Sequence, residues 1–380
     1  MARVSLSWAL ILGLLSGIGP LCTDFYLPAL PEITQQLQAT STQTQLSLTA
    51  ALIGLGLGQL FFGPLSDRIG RLKPLALSLL LFIFSSAMCA LTRDINMLIV
   101  WRFLQGFAGA GGSVLSRSIA RDKYQGTLLM TVNGIAPVLS PVLGGYVITA
   151  FDWRILFWTM AAIGGVLLVM SLAILRETRP ATAAHASRQR PGQPVLKNRR
   201  FLRFCLIQAF MMAGLFSYIG SSSFVMQSEY GMSAMQFSLL FGLNGIGLII
   251  AAMIFSRLAR RFSAESLLRG GLTLAVSCAA IMLLFAWLHL PMLALVGLFF
   301  TVSLMSGIST VAGAEAMSAV DAAQSGTASA LMGTLMFVFG GIAAPLAGLG
   351  GETMLKMSLA MAICYLLALL LGLSKPRDAR

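Results

Sequence analysis

The chain has 380 residues, of which 57% are hydrophobic and only 10% are charged, and its mean hydropathy is +0.85. This hydropathy is far above that of a water-soluble domain and indicates a membrane protein. The formal net charge of +13 would suggest a nucleic-acid partner in a soluble protein. Here the positive charges lie in loops between apolar segments, so we expect no nucleic-acid binding.

The apolar segments have the length of membrane-spanning helices. A spanning helix needs roughly 20 mostly apolar residues. A transmembrane β-barrel would instead show segments of about ten residues with alternating polarity, and these windows are apolar around their whole circumference. The sequence therefore predicts an all-α membrane protein. The predicted spans, twelve in number, are 6–28, 46–64, 74–91, 97–118, 128–149, 154–175, 202–224, 236–255, 267–288, 291–313, 326–349 and 353–373.

The first span ends in an unusual stretch, PLCTDFYLPALP at 20–31, which contains one carboxylate, Asp24, among prolines. We expect Pro20 to bend this helix so that Asp24 faces a central cavity, and Pro28 and Pro31 to end the span, because proline lacks a backbone donor. A charged side chain inside a span is costly and favours a functional role.

Positive charges are distributed unequally between the loops. If the N-terminus is cytoplasmic, the inner loops contain nearly all of the basic residues, whereas the outer loops contain only Arg93, Arg154 and Lys356. Cytoplasmic loops carry an excess of Lys and Arg. The sequence therefore predicts that both termini lie in the cytoplasm and that the lipid bilayer surrounds the helices.

The chain changes character in its middle. Residues 176–200 are basic, contain prolines and have few large apolar side chains, which is typical of a cytoplasmic linker. The predicted organisation is an N-terminal six-helix bundle at 1–175, this linker, and a C-terminal six-helix bundle at 201–380. A pair of arginines three residues apart follows both the second span (Arg68 and Arg71) and the eighth (Arg257 and Arg260), which favours a duplicated transporter.

Enzymatic and cofactor chemistry have no support in the sequence. The five cysteines show no CxxC spacing, the two histidines are far apart, and no lysine follows a glycine, so we expect no metal site, no cofactor and no phosphate-binding loop. The spans contain no paired carboxylates and no Ser/His/Asp arrangement, so no catalytic residue is predicted. Energy for transport would come from an ion gradient or a partner.

The loop after the second span, GPLSDRIGRLKP at 63–74, resembles the signature loop of the major facilitator superfamily. The matching positions are Gly63, Asp67, Arg68, Gly70 and Arg71. In such a loop, glycine allows helix backbones to approach closely, and a carboxylate among arginines forms charge pairs that lock an inner gate. Leu72 stands where the family usually has another basic residue, so one charge pair is expected to be weaker.

Helix five contains NGIAPVLSPVLGGY at 133–146, which resembles the antiporter motif of drug-exporting members of the superfamily. The positions that carry this resemblance are Gly134, Pro137, Pro141, Gly144 and Gly145. The two prolines are expected to bend the helix, and the glycines to let a neighbouring helix pack tightly. An ordinary kinked helix would explain the same residues.

Helix four contains RFLQG at 102–106, in which Arg102 and Gly106 resemble the family's R-x-x-x-G motif. An arginine at this depth costs roughly 2.5–3.5 kcal/mol on insertion scales, so it should have a partner or a water-filled cavity. Asp24 lies at a similar depth from the predicted span ends. A pair of these two side chains is therefore geometrically possible, and it would either hold two helices together or act as a proton switch.

Several further stretches resemble the Bcr/CflA group of this superfamily, namely TDFYLPALP (23–31), RDKYQG (121–126), RILFW (154–158), EYGMSAMQFSLLFG (229–242) and GTASALMG (326–333). The resemblance implies a monomeric, proton-driven exporter of small amphiphilic compounds, such as bicyclomycin-like or sulfonamide-like drugs, in the bacterial inner membrane. One departure is the distance between YQG and APVLSP, which is shorter by about seven residues, or roughly 10 Å of helix. The gate between helices four and five is expected to be altered there.

A substrate cavity near mid-membrane should be lined by apolar groups and a few polar ones. The candidates are the polar or aromatic groups inside spans, namely Tyr26, Gln59, Asn133, Tyr218, Phe224 and Asn244. Each of them could equally serve helix packing. Two other functions share this sequence pattern: a proton-coupled exporter or importer of a metabolite such as an amino acid or nucleoside, and a non-transporting scaffold. A scaffold would not need Asp24 or Arg102 at depth.

Overall fold

A computed structural model describes residues 6–124, 130–178, 195–320 and 325–374, with the side chains at 6, 121, 123, 124, 130–138 and 325–327 left out. In these residues the secondary structure is helical, with no β-strand. The α-helices are α1 (Leu6–Ser16), α2 (Ile18–Asp24), α3 (Leu30–Gln36), α4 (Ser41–Ile69), α5 (Leu72–Leu91), α6 (Ile95–Tyr124), α7 (Met130–Ala150), α8 (Arg154–Ile174), α9 (Arg199–Phe224), α10 (Ala234–Leu258), α11 (Ala264–Trp287), α12 (Pro291–Ser318), α13 (Ser325–Ala347) and α14 (Met354–Leu373). The described residues also contain three short helical turns. Two are 3₁₀ turns, at Leu27–Ala29 and Val195–Lys197, and one is a π-helical turn at Val225–Glu229.

The predicted twelve-helix architecture is confirmed. Eleven described segments are long and apolar enough to cross a membrane. At the predicted position of the remaining span lies α7, a helix of 21 residues whose part Leu139–Ala150 is apolar. Several helices extend beyond their apolar windows; the second span, for example, was predicted at 46–64 and occupies Ser41–Ile69. Polar residues at helix ends continue the backbone hydrogen-bond ladder, and hydropathy does not detect them.

The prolines of the first span do not act as the sequence suggested. The chain breaks its helix at Gly17, between α1 and α2, and Pro20 lies within α2. Pro28 and Pro31 occupy the first turns of the 3₁₀ segment and of α3, so the helical stretch continues to Gln36. The two prolines therefore do not end the helical stretch, because proline also suits the first turn of a helix, where its missing N–H has no partner to lose.

The chain divides into two compact units. Unit 1 comprises Met1–Arg190 with Ala234–Leu239, and unit 2 comprises Pro191–Ser233 with Leu240–Arg380. In unit 1, α4 packs along α6, and α5 packs on α6 and α8. In unit 2, α9 packs on α12, α13 and α14, and α11 packs on α12 and α14. Residues 179–194 of the predicted linker lie outside the described residues.

Glycines bring α4 and α6 into backbone contact. A Cβ atom at Gly54 or Gly58 would collide with a backbone carbonyl of α6, and one at Gly106 would collide with the carbonyl of Ala51 on α4. Small residues at such positions let membrane helices approach closely and gain van der Waals contact. This packing fixes the register of α6 against α4 and thereby the position of Arg102, four residues before Gly106.

Candidate functional site

The signature loop folds into a compact turn between α4 and α5. α4 ends at Ile69, and Gly70 follows with a φ of +96°, a conformation that glycine adopts without steric cost. This turn places Arg71 immediately before α5 and directs its side chain back along α4. The close backbone approach predicted at Gly63 is absent, because a Cβ there would meet only the Val114 side chain at 3.8 Å.

Arg71 is the centre of a charged cluster in unit 1. Its side chain is 3% exposed; Nη1 donates to Asp67 Oδ1 at 2.5 Å and to Ser66 Oγ at 2.7 Å, and Nε donates to Asp122 Oδ2 at 2.9 Å. Burial lowers the pKa of Arg71, but the hydrogen bonds to Asp67 and Asp122 raise it by more, so its pKa lies above the usual value. The guanidinium therefore stays charged and ties α4 to α6.

A second carboxylate, Glu177, binds the backbone of the same loop. Both of its carboxylate oxygens accept the Arg71 N–H at 2.9 Å, and Oε2 also accepts the Leu72 N–H at 3.2 Å. A carboxylate at the start of α5 satisfies free backbone donors and favours the helix dipole. Because Leu72 takes part through its backbone, its side chain is not needed for this contact.

These five residues, Ser66, Asp67, Arg71, Asp122 and Glu177, are called the Arg71 cluster below. The sequence analysis did not identify Asp122 and Glu177 as members of it. A signal existed, since both are acidic residues at the ends of spans in otherwise basic segments. Arg68, which the sequence placed in the gate, lies exposed in the last turn of α4.

A second polar group surrounds Arg102, which is fully buried in α6. Its Nη2 donates to the backbone carbonyl of Cys22 at 2.6 Å, and its Nη1 donates to Gln105 Oε1 at 2.5 Å. Its Cζ lies 4.0 Å from the centre of the Tyr26 ring, a cation–π geometry. Gln105 in turn donates to Ser86 Oγ at 2.7 Å. Neutral groups thus hold this cation in place.

The predicted ion pair between Asp24 and Arg102 is not formed. Cys22 and Tyr26, four residues apart on one side of the first span, both contact Arg102. Asp24 is two residues from each of them, so the helical turn of about 100° per residue points it the opposite way. The sequence predicted similar depths for Asp24 and Arg102. In the structure their side chains do not point towards each other.

Asp24 is a buried carboxyl, 5% exposed, whose Oδ1 has no hydrogen-bond partner in the described part of the chain. Gly17, Pro20 and Leu21 precede it by seven, four and three residues, which places them on the same helical face, and all three are half-buried. Asp24 therefore lies at the end of a face of the first span that is partly accessible.

The antiporter motif lies beside this carboxyl. The backbone of α7 is helical through the whole motif, including Pro141. A Cβ at Gly144 would collide with the backbone carbonyl of Phe25, so α7 packs directly on the residue after Asp24. Gly145 is also buried. The side-chain environments of Gly134, Pro137 and Asn133, and the predicted shortening before α7, fall outside the described residues.

The predicted cavity residues lie in both units. In unit 1, the Tyr26 hydroxyl is 3.3 Å from Ser47 Oγ, and Gln59 is buried in α4. In unit 2, Asn244 Nδ2 donates to the Tyr218 hydroxyl at 2.9 Å, while Asn244 Oδ1 has no partner among the described residues. Phe224, the last residue of α9, is buried.

The structure adds one aromatic ring that the sequence analysis did not single out. Phe241 stacks on Tyr218, with ring centres 5.2 Å apart and an interplanar angle of 15°. It precedes Asn244 by three residues on α10, so both side chains lie on the same face of that helix. That spacing within a span was the available signal.

Comparison of the sequence with known proteins identifies the family of this chain. The sequence profile of the Major Facilitator Superfamily matches residues 12–345. The uncharacterized MFS-type transporter YdgK of Bacillus subtilis (strain 168) is 36% identical over 98% of this chain and 96% of its own length. The bicyclomycin resistance protein homolog of Haemophilus influenzae is 30% identical over 95% of this chain and 94% of its own length.

The fold also matches solved transporters. The partially occluded, inward-open xylose transporter XylE of E. coli superposes with a TM-score of 0.72, covering 98% of this chain and 99% of that one, at 12% identity. At that identity the likeness shows the fold alone. The two relatives above show the family, because they are 36% and 30% identical and cover 98% and 95% of the chain. The chain is thus a multi-pass transporter of the bacterial inner membrane, and it belongs to the major facilitator superfamily, in its Bcr/CflA group.

Proposed function

We propose that the chain is a proton-coupled exporter that moves small amphiphilic compounds out of the cytoplasm by alternating access, with bicyclomycin-like and sulfonamide-like drugs as substrates. The observation that carries this proposal is Asp24, a buried carboxyl with an unpartnered oxygen at the end of a partly accessible face. The bicyclomycin resistance homologue supports the substrate class.

Asp24 is suited to bind a proton and a substrate in turn. An ionised carboxylate is expensive to bury without a partner, far more so than a neutral group. A proton, or a cationic or hydrogen-bond-donating substrate, removes that cost, and the two compete for the same oxygens. Occupation by one therefore favours release of the other, which is the requirement for exchange.

Arg102 acts in this proposal as a positioning residue. It does not pair with Asp24, but it holds the Cys22 carbonyl two residues away and covers the Tyr26 ring two residues beyond. These contacts set the rotation of α2 about its axis, and hence the direction of the Asp24 side chain. On the other side, Gly144 of the antiporter motif lets α7 pack on Phe25.

The Arg71 cluster is proposed as a lock on one end of unit 1. It holds α4, α6, the start of α5 and the segment after α8 together through one buried guanidinium and its backbone N–H. Movement of α5 relative to α4 and α6 requires these bonds to break. The predicted orientation places this end in the cytoplasm, where it would act as the inner gate.

The substrate is proposed to contact unit 2 through Tyr218, Phe241 and Asn244. Both rings are buried here, at 1% and 5% exposure, so in this proposal alternating access uncovers them as an aromatic surface for a flat or cyclic group. Asn244 Oδ1, which has no partner among the described residues, would then accept a hydrogen bond from a substrate N–H or O–H. Tyr26, Gln59, Asn133 and Phe224 remain proposed cavity residues.

The test is substrate-dependent dissipation of a pH gradient in vesicles that contain the purified chain. Asp24→Asn should bind substrate but lose proton exchange, whereas Asp24→Glu should retain part of it. The control is Asp152→Asn, since that carboxylate is 44% exposed and pairs with Arg154 at the surface. Proton and substrate movement by Asp24→Asn at the parental rate would overturn the coupling proposal. Exchange with amino acids or nucleosides but no drugs would overturn the substrate class.

A further inference from the structure

α10 presents a continuous exposed apolar stripe. Large side chains recur along it at spacings of three and four residues, and each is between 45% and 50% exposed. They are Leu243, Ile246, Ile250, Met253 and Ile254. In a helix of a membrane protein, an exposed apolar stripe of this length is the side that meets lipid chains.

Arg257 is the next residue of the same stripe, four positions after Met253 and three after Ile254. α10 ends one residue later, at Leu258. The guanidinium therefore lies where the lipid-facing side of the helix leaves the hydrocarbon. Arginine side chains at such helix ends extend towards the headgroup region.

Two more arginines follow in the turn before α11. Arg260 and Arg261 are exposed, as is Arg257, and none of the three forms an ion pair in the part of the chain that the structure describes. The acid that follows them in sequence, Glu265, is engaged by Arg203 at 3.5 Å and by Arg269 at 3.3 Å. The turn thus carries three positive charges that the described protein does not neutralise.

The corresponding turn of unit 1 is different. There, after α4, Arg71 is buried and held by Asp67 and Asp122. The turn after α10 has arginines at a similar spacing but no acidic residue between Ala234 and Ser263. The turn after α10 therefore has no cluster of buried ion pairs like the Arg71 cluster in the described residues. Its three arginines are available to bind an external anion.

We propose that Arg257, Arg260 and Arg261 bind the phosphate of an anionic phospholipid headgroup. Guanidinium groups bind phosphate oxygens through paired hydrogen bonds. Phe262 follows Arg261 directly and is 56% exposed, so its apolar ring would contact the acyl chains of the same lipid. The acyl chains of the same lipid would lie along the apolar stripe of α10, which leads up to Arg257.

The experiment measures lipid selectivity without using transport. The full chain is placed in nanodiscs that contain phosphatidylglycerol and phosphatidylcholine, and the bound lipids are measured by spin-label exchange or native mass spectrometry. The variant carries Arg257→Gln, Arg260→Gln and Arg261→Gln. The control removes the same charge at exposed positions outside the patch, with Arg93→Gln, Lys197→Gln and Arg199→Gln.

We expect the parent chain and the control to prefer phosphatidylglycerol, and the variant to lose roughly five-fold of that preference for each arginine removed. High salt should weaken the preference of the parent. Unchanged selectivity in the variant, or an equal loss in the control, would overturn the proposal, the latter by showing that any basic loop suffices. If the triple variant does not fold, as judged by its thermal unfolding in phosphatidylcholine discs, the three single substitutions are measured and should each lower the preference.

Discussion

Replacing Arg71 by methionine tests whether the Arg71 cluster is an internal structural lock. Methionine is similar in length but has no donor, so Asp122 would remain buried without its cation. Removing one partner of a buried ion pair typically costs about 3–5 kcal/mol. Asp67 adds little, because its side chain is 60% exposed and water can solvate it. We therefore expect a loss of about 3–5 kcal/mol, almost all of it from Asp122.

The measurement is the free energy of unfolding in mixed micelles, with tryptophan fluorescence as the probe. Arg200→Met is the matched control, since Arg200 pairs with Glu315 at the same 2.9 Å as Arg71 with Asp122 but is 59% exposed. A surface pair of this kind contributes about 0.2–1 kcal/mol. The two variants should therefore differ several-fold in their cost, although the bond to Asp122 and the bond to Glu315 are equally long.

The double variant Arg71→Met with Asp122→Asn isolates the coupling energy between Arg71 and Asp122 from their interactions with other residues. If the cost comes from an uncompensated carboxylate, neutralising Asp122 should recover a coupling energy of about 0.5–3 kcal/mol. Equal costs for Arg71→Met and Arg200→Met, or no recovery in the double variant, would refute the assignment of the stability to the buried pair.

Two further predictions concern packing and the anchor of α5. Gly106→Ala should destabilise the chain by about 1–3 kcal/mol, because its Cβ would meet the Ala51 carbonyl of α4. Gly165→Ala, where the space is open, should be neutral or stabilising by up to about 1 kcal/mol. Thermal unfolding of the two variants and the parent chain in mixed micelles measures both effects. Equal melting temperatures would contradict the close approach of α4 and α6. Glu177→Gln should weaken the hold on the start of α5 by about 1 kcal/mol and increase labelling of a cysteine introduced at Leu72, while Glu315→Gln should leave that labelling unchanged.

Much of the architecture was readable from the sequence. The apolar windows predicted the number of spans because a bilayer requires each segment to satisfy its own backbone hydrogen bonds. The signature loop was identified residue by residue, and its Asp67 and Arg71 do pair, because the turn at Gly70 directs the Arg71 side chain back along α4 to Asp67. These features depend on local sequence alone.

The partners of that loop depend on distant parts of the chain. Asp122 and Glu177 are 51 and 106 residues from Arg71, and no local pattern connects them. The prolines of the first span show a related limit, since the same residue type can end one helix or begin the next.

By itself, the sequence determined that this protein crosses the membrane about twelve times, which residues are too costly to bury without a function, and which family it resembles. Only the tertiary structure decided what those costly residues face. Depth along a span follows from counting at 1.5 Å per residue, but the side of a helix that meets a neighbour depends on how the helices are rotated against each other. The contact of α6 with the Cys22 side of α2 therefore directs Arg102 to a carbonyl and an aromatic ring, and leaves Asp24 on the opposite side, without a cation in the described residues.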